Sequence, residues 1–255
     1  MNLSAIDWIL WVGAFLGQTA LLSILLIRRR RREFPVFTAC MGFQVALSAL
    51  LYLIYEYGSH AWYARVYWSA DFVDFFIQLG VIWEIASIVM RPTGSWVRDA
   101  RRQFILWGTA GILLAAVLPW LVAPPAASLL GRLEMRGDLF TSLVVCELIA
   151  VLTRTSRSLG LGWRNHVMAL GNGWTAWAVT AILVDGLHGY FGAEHYFTAL
   201  EHVRMFVYLA ALGYWAVQFW LEEPARQPLS PELRAYIEAL HERVKGNLDA
   251  LNIQQ

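Results

Sequence analysis

Residues 69–92 read SADFVDFFIQLGVIWEIASIVMRP, and this stretch decides the fold. It is apolar enough and long enough to cross a bilayer, for which about 20 residues suffice at 1.5 Å per residue. It nevertheless holds Asp71, Asp74, Gln78 and Glu84. Ionisable groups inside a membrane are costly, so they face a protein interior and are paired there, or they mark a functional site. The stretch therefore implies a bundle of helices with a polar interior.

The rest of the chain agrees with that reading. Of 255 residues, 58% are hydrophobic and 15% are charged. A soluble domain carries about 25% charged residues. The apolar residues come in runs, as membrane spans do, and the chain has 13 Trp, a residue enriched where lipid meets water. Seven runs are long enough to span, near 5–27, 36–57, 66–90, 102–122, 138–155, 165–189 and 196–221. The expected fold is all-α: a seven-transmembrane-helix bundle over 1–222, then a tail, 223–255.

Arginine sets the expected orientation. Arg28–Arg32 form an unbroken run after the first span, Arg91, Arg98, Arg101 and Arg102 follow the third, and Arg154, Arg157 and Arg164 follow the fifth. Alternate loops carry fewer: Arg65, then Arg132 and Arg136, then none. The positive-inside rule puts the N-terminus outside and the C-terminus in the cytoplasm. No basic residue precedes the first apolar run, and five arginines close it, so it reads as an anchor and not as a cleaved signal peptide. The setting is the lipid bilayer of an inner membrane. The net charge of +1 and arginines confined to short loops give no support to nucleic-acid binding. Cys40 and Cys146 both lie in apolar runs and imply no disulfide framework.

The polar residues within the spans fall into groups. At 100° per residue, Asp71, Asp74 and Gln78 share one helical face within about 60°, and Glu84 points away from them. In the seventh span Glu201, Arg204 and Tyr208 share a face, and Arg204 lies at the depth of Asp74, its expected counter-charge. Asp185 and His188, one turn apart, end the sixth span, and His202 stands beside Arg204. Together these residues form a candidate outward-facing ligand pocket. Glu84 and Glu147 are matched in the inner half: EIASIVMR and ELIAVLTR each place a glutamate seven residues before an arginine. They either share a proton or a cation, or hydrogen-bond to Asn172, Gln44, Gln18 or a Trp. In span six, ALGNGWTAW allows two readings: close helix approach with Asn172 bonded across the interface, or a broken helix lining a cavity.

No cofactor is required by these residues, though two remain as alternatives. Asp185, His188 and His202 are the donors a zinc ion would use, and His188 with His202 is the pair a haem would use. Retinal held as a Schiff base is excluded, because the single lysine is Lys245, in the tail. The tail itself predicts an amphipathic helix over 230–251: Ser230 caps it, and Leu233, Ile237, Leu240, Val244, Leu248 and Leu251 recur at three- and four-residue steps. It either docks a cytoplasmic protein partner or forms a coiled-coil arm, or it lies on the membrane surface or on the bundle's own loops. A second copy of the chain, in a homo-oligomer, is a further candidate partner.

The stretches RRRRREFPVF and VYWSADFV…IWEIASIVMRP resemble a group of uncharacterised bacterial seven-span membrane proteins. The resemblance implies the seven-helix fold and carries no activity or catalytic residue. The expected function is therefore a non-enzymatic, receptor-like membrane sensor used in signalling, its outer pocket taking a ligand and its tail addressing a partner. A metal-dependent intramembrane hydrolase built on the histidine–carboxylate cluster is the alternative from another class, and a small transporter is the third.

Overall fold

A computed structural model describes residues 4–90, 98–122, 129–158, 165–191 and 197–222 of the chain. These form seven α-helices: α1 (Ala5–Ile27), α2 (Pro35–Tyr57), α3 (His60–Met90), α4 (Arg98–Val122), α5 (Leu129–Ser158), α6 (Asn165–Phe191) and α7 (Phe197–Trp220), with one 3-10 turn at Arg30–Arg32 and no strand among the described residues. The tail 223–255, with the expected helix 230–251, lies outside the described residues.

Four helices have stretches long and apolar enough to cross a membrane: Ala5–Ile27, Pro35–Tyr57, Ala61–Val89 and His166–His188. Within α4 the apolar stretch is shorter, Ile105–Leu121. In α5 and α7 charged residues are interspersed: Arg136, Asp138, Glu147 and Arg154 in the one, Glu201 and Arg204 in the other. Three helices begin earlier than their apolar runs. The third starts at His60, the fourth at Arg98 and the fifth at Leu129. Leu, Arg, Glu and Met are good helix formers, so a helix continues through LLGRLEMRGD, where hydropathy has already fallen.

Six helices close a ring in the order α1, α2, α3, α5, α6, α7, and α4 packs outside it on α5. The apolar core fills one end of this ring. It is built from the end of α1 (Leu21, Leu25), Phe34 just before α2 and Phe37 in its first turn, the end of α3 (Val81, Ile85, Val89), α5 (Val144, Leu148, Leu152) and the end of α7 (Leu212, Trp215, Phe219). Phe37 touches Trp174, Trp215 and Phe219, with ring centroids 5.4 to 5.9 Å apart, a range in which aromatic pairs attract.

That end is where Arg28–Arg32 turn the chain. Arg29 takes a left-handed conformation, φ 58°, which reverses the backbone between α1 and α2. Arg28 lies over the Trp220 ring at 4.5 Å, and Arg30 donates to the carbonyl of Leu221 at 3.3 Å. A ring nitrogen of His166 lies 3.2 Å from the same carbonyl. Three side chains thus meet the carboxyl end of α7, where the helix dipole and unpaired carbonyls attract donors.

Glu84 serves the opposite kind of helix end. Phe34 precedes α2 and supplies no side-chain cap, and Pro35 has no N–H to cap. The next two N–H groups, of Val36 and Phe37, donate to the two oxygens of Glu84 at 2.8 and 3.0 Å. The glutamate on α3 therefore caps the amino end of α2 from a neighbouring helix, held by backbone and not by Asn172, Gln44, Gln18 or a Trp. Glu147 occupies a different place, against Gly111 of α4, where a Cβ would collide with its carboxyl group.

Helix α6 is continuous through Gly171–Gly173, so the broken-helix alternative does not describe it. Gly173 faces Trp215, whose indole would meet any Cβ there and which donates to the carbonyl of Ala169 at 3.1 Å. Asn172 lies on the exposed face of α6 and takes no part in that approach.

Candidate functional site

The other end of the ring is not filled by apolar side chains. It encloses a cavity of about 670 Å³ lined by all six ring helices. Small-molecule pockets measure about 300–1,000 Å³. The lining follows α7 from Phe197 and Glu201 to Trp215. Fourteen residues separate Glu201 from Trp215 along the helix, so the cavity runs about 20 Å into the bundle.

Each wall has its own chemistry. From α3 come Asp71, Asp74 and Gln78, from α6 Asp185 and His188, and from α7 Glu201, Arg204 and Tyr208. Asp74 accepts hydrogen bonds from the amides of Gln44 at 2.7 Å and Gln78 at 2.6 Å. The Gln18 amide donates to the Tyr208 hydroxyl at 2.9 Å, and Ser48 donates to Gln18 Oε1 at 3.3 Å. These bonds lock the glutamines in place around the cavity.

Arg204 pairs differently from the sequence expectation. Both terminal nitrogens lie 3.4 Å from Oδ2 of Asp138 on α5, and one lies 3.8 Å from Oδ1 of Asp185 on α6. Its guanidinium also stands 5.7 Å from the Trp177 ring centroid. Asp74, at the matching depth, is satisfied by Gln44 and Gln78, and the guanidinium is taken by the two aspartates on its own side of the ring.

His202 is the second departure. It does not line the cavity but points to α1, where a ring nitrogen lies 2.8 Å from Asp7 Oδ1. Asp7 is also the third residue of a capping box with Ser4. Adjacent even-numbered positions on a helix, two apart, point about 200° away from each other, so His202 and Arg204 cannot share a face. The three candidate zinc donors Asp185, His188 and His202 are thus not brought together, nor are His188 and His202 as a haem pair. No group of three or more His, Cys, Asp or Glu among the described residues is placed to hold a metal ion. His188 stacks on Phe197, ring centroids 4.6 Å apart, and its Nδ1 lies 4.0 Å from Glu201.

Five side chains on the cavity wall carry buried polar atoms without a hydrogen-bond partner: Gln78 Oε1, Ser142 Oγ, Trp174 Nε1, Asp185 Oδ2 and His188 Nε2. All five residues are more than nine-tenths buried. A buried polar group left unpaired costs about 1–3 kcal/mol, so five lining one cavity mark it as a place for polar matter. Asp138, Ser142 and Trp174 are site residues that the sequence reading missed. Asp138 and Ser142 lie four apart and so share a face, but Arg136 and Asp138 made that segment look like the edge of a loop.

Compared with protein families, curated proteins and solved structures, the chain matches none.

Proposed function

We propose that the chain is a seven-span membrane sensor that holds a small polar molecule in the cavity between its helices. The observation that carries this reading is the set of five partnerless buried polar atoms on the wall of one cavity of about 670 Å³. The seven-span count is supported by where the charges of α5 and α7 go. Asp138, Glu201 and Arg204 face the cavity, so their cost is met inside the ring and not in lipid. Large apolar residues cover the outside, among them Ile9, Ile27, Phe72, Leu113 and Leu183. The arginine distribution supports an orientation with the apolar-core end in the cytoplasm and the cavity open outward. In this reading the tail passes the signal to a cytoplasmic partner.

A ligand that binds only the folded chain raises its stability by RT ln(1 + [L]/Kd). Thermal unfolding of the purified chain in lipid nanodiscs, across a panel of cationic, anionic, zwitterionic and neutral small molecules, tests the proposal. Saturable stabilisation that Ser142→Phe abolishes, by filling the cavity, is the expected result. A panel in which nothing stabilises the wild type would sink the reading. The hydrolase alternative has weaker support, since its three donors stand apart, and a transporter would be favoured by an interrupted α6, which is continuous.

A further inference from the structure

The chemistry of the cavity also selects among ligands. Resting on the reading of that cavity as a ligand site, we infer that it takes a small organic cation bearing N–H donors, such as a primary amine attached to an apolar body.

Charge gives the first argument. Five carboxylates line the cavity, Asp71, Asp74, Asp138, Asp185 and Glu201, against one guanidinium, that of Arg204. The guanidinium is already engaged, at 3.4 Å by Asp138 and at 3.8 Å by Asp185, so it is not offered to an incoming anion. An anion would enter an excess of negative charge, whereas a cation enters a field that attracts it.

Hydrogen-bond direction gives the second. Asp74 receives the N–H groups of Gln44 and Gln78, which turns the carbonyl oxygen of Gln78 away, buried and without a donor. Asp185 keeps Oδ2 without a donor while Oδ1 faces Arg204. Both groups are acceptors only in these orientations, and both call for N–H or O–H on the ligand. An ammonium group brings three N–H donors and a charge, and so meets an acceptor of this kind through a charge-assisted bond.

The third argument is aromatic. Trp174, Trp177 and Trp215 line the same cavity, with Trp174 and Trp215 ring centroids 5.5 Å apart. Indole faces attract cations and also cover an apolar body. Carboxylates and aromatic faces together suit an organic cation better than a bare metal ion, which would leave the indoles without a role.

The test uses the full chain in nanodiscs of zwitterionic lipid and three probes of nearly equal size: 2-phenylethylammonium, 2-phenylethanol and phenylacetate. Binding is read by tryptophan fluorescence and by thermal unfolding. The ammonium probe is expected to bind saturably, with the alcohol and the carboxylate at least about tenfold weaker, the loss of one charge-assisted bond. Asp185→Asn should weaken the ammonium about tenfold. Glu201→Gln, at the partly exposed mouth, should weaken it several-fold. Equal or tighter binding of the alcohol or the carboxylate, removed by Ser142→Phe, overturns the cation assignment and leaves the ligand cavity standing. Failure of all three probes to bind overturns the cation assignment, and the ligand cavity falls with it only if the wider panel also leaves the chain unstabilised. Ammonium binding that survives Asp185→Asn, Glu201→Gln and Ser142→Phe alike would place it elsewhere and also overturn the assignment.

Discussion

The indole of Trp215 occupies the space that a Cβ on Gly173 would need, and its Nε1 donates to the carbonyl of Ala169 at 3.1 Å. Helices α6 and α7 approach each other closely because residue 173 has no side chain, as small residues allow between membrane helices. Gly173→Ala is expected to destabilise the chain by about 1–3 kcal/mol, the cost of overpacking a filled interface. In a Trp215→Ala background the same change should be neutral or stabilising, because alanine is the better helix former. Equal cost in both backgrounds, measured by thermal unfolding, would show that the indole is not what residue 173 accommodates.

Glu84 caps α2 with both carboxylate oxygens. Glu84→Gln keeps one acceptor and turns an amide N–H toward the other backbone donor. The expected loss is about 1–3 kcal/mol, the range for leaving a buried donor unsatisfied. Hydrogen exchange at the Val36 and Phe37 amides should rise with it, while amides in the middle of α2 change little. Unchanged protection at those two amides would contradict the cap.

Arg204 answers to Asp138 and Asp185. The pair with Asp138 is half-buried, but Asp185 is buried and would lose its counter-charge, so Arg204→Ala should cost about 1–3 kcal/mol. A double-mutant cycle with Asp138→Asn should show coupling of about 0.5–3 kcal/mol, and a cycle with Asp74→Asn should be additive within about 0.5 kcal/mol. Coupling to Asp74 in place of Asp138 would reverse the pairing described above.

The carboxyl of Glu147 packs where a Cβ on Gly111 would stand. Gly111→Ala should therefore destabilise the α4–α5 contact by about 1–3 kcal/mol, and adding Glu147→Ala should restore much of that loss. Unfolding temperatures of the two single variants and the double variant decide it: a double variant worse than Gly111→Ala alone would mean that the carboxyl has another partner to lose.

The helices were legible because apolar runs report burial in lipid or protein directly, and all seven end within about three residues of where those runs do. Partners were harder to read, for a geometric reason. Depth along a span follows from residue number, but a helix must also be placed around the ring before a side chain's neighbour is known. Arg204 and Asp74 match in depth yet belong to different sides of the cavity, and Asp138 was concealed by the charged start of α5. His202 could have been excluded from the numbering alone, since two helical residues apart is nearly opposite. Glu84 was found, but its partner could not be, because a backbone N–H carries no signature in a sequence. The orphaned oxygens and nitrogens of Gln78, Ser142, Asp185 and His188 are likewise visible only once every neighbour has been placed.

The partition of the ring into a packed end and a hollow end also sorts the chain's two thiols. Cys40 is buried on the cavity wall, and Cys146 is half-buried on α5 and is not part of that wall. The unaltered sequence therefore carries a probe site and an internal reference. Buried thiols react slowly, so long exposure to a reagent small enough to enter is needed; labelling of Cys40 should then fall when the cavity is occupied, and that of Cys146 should not. Occupancy can be followed as a ratio of two labelled peptides, without adding a single foreign residue.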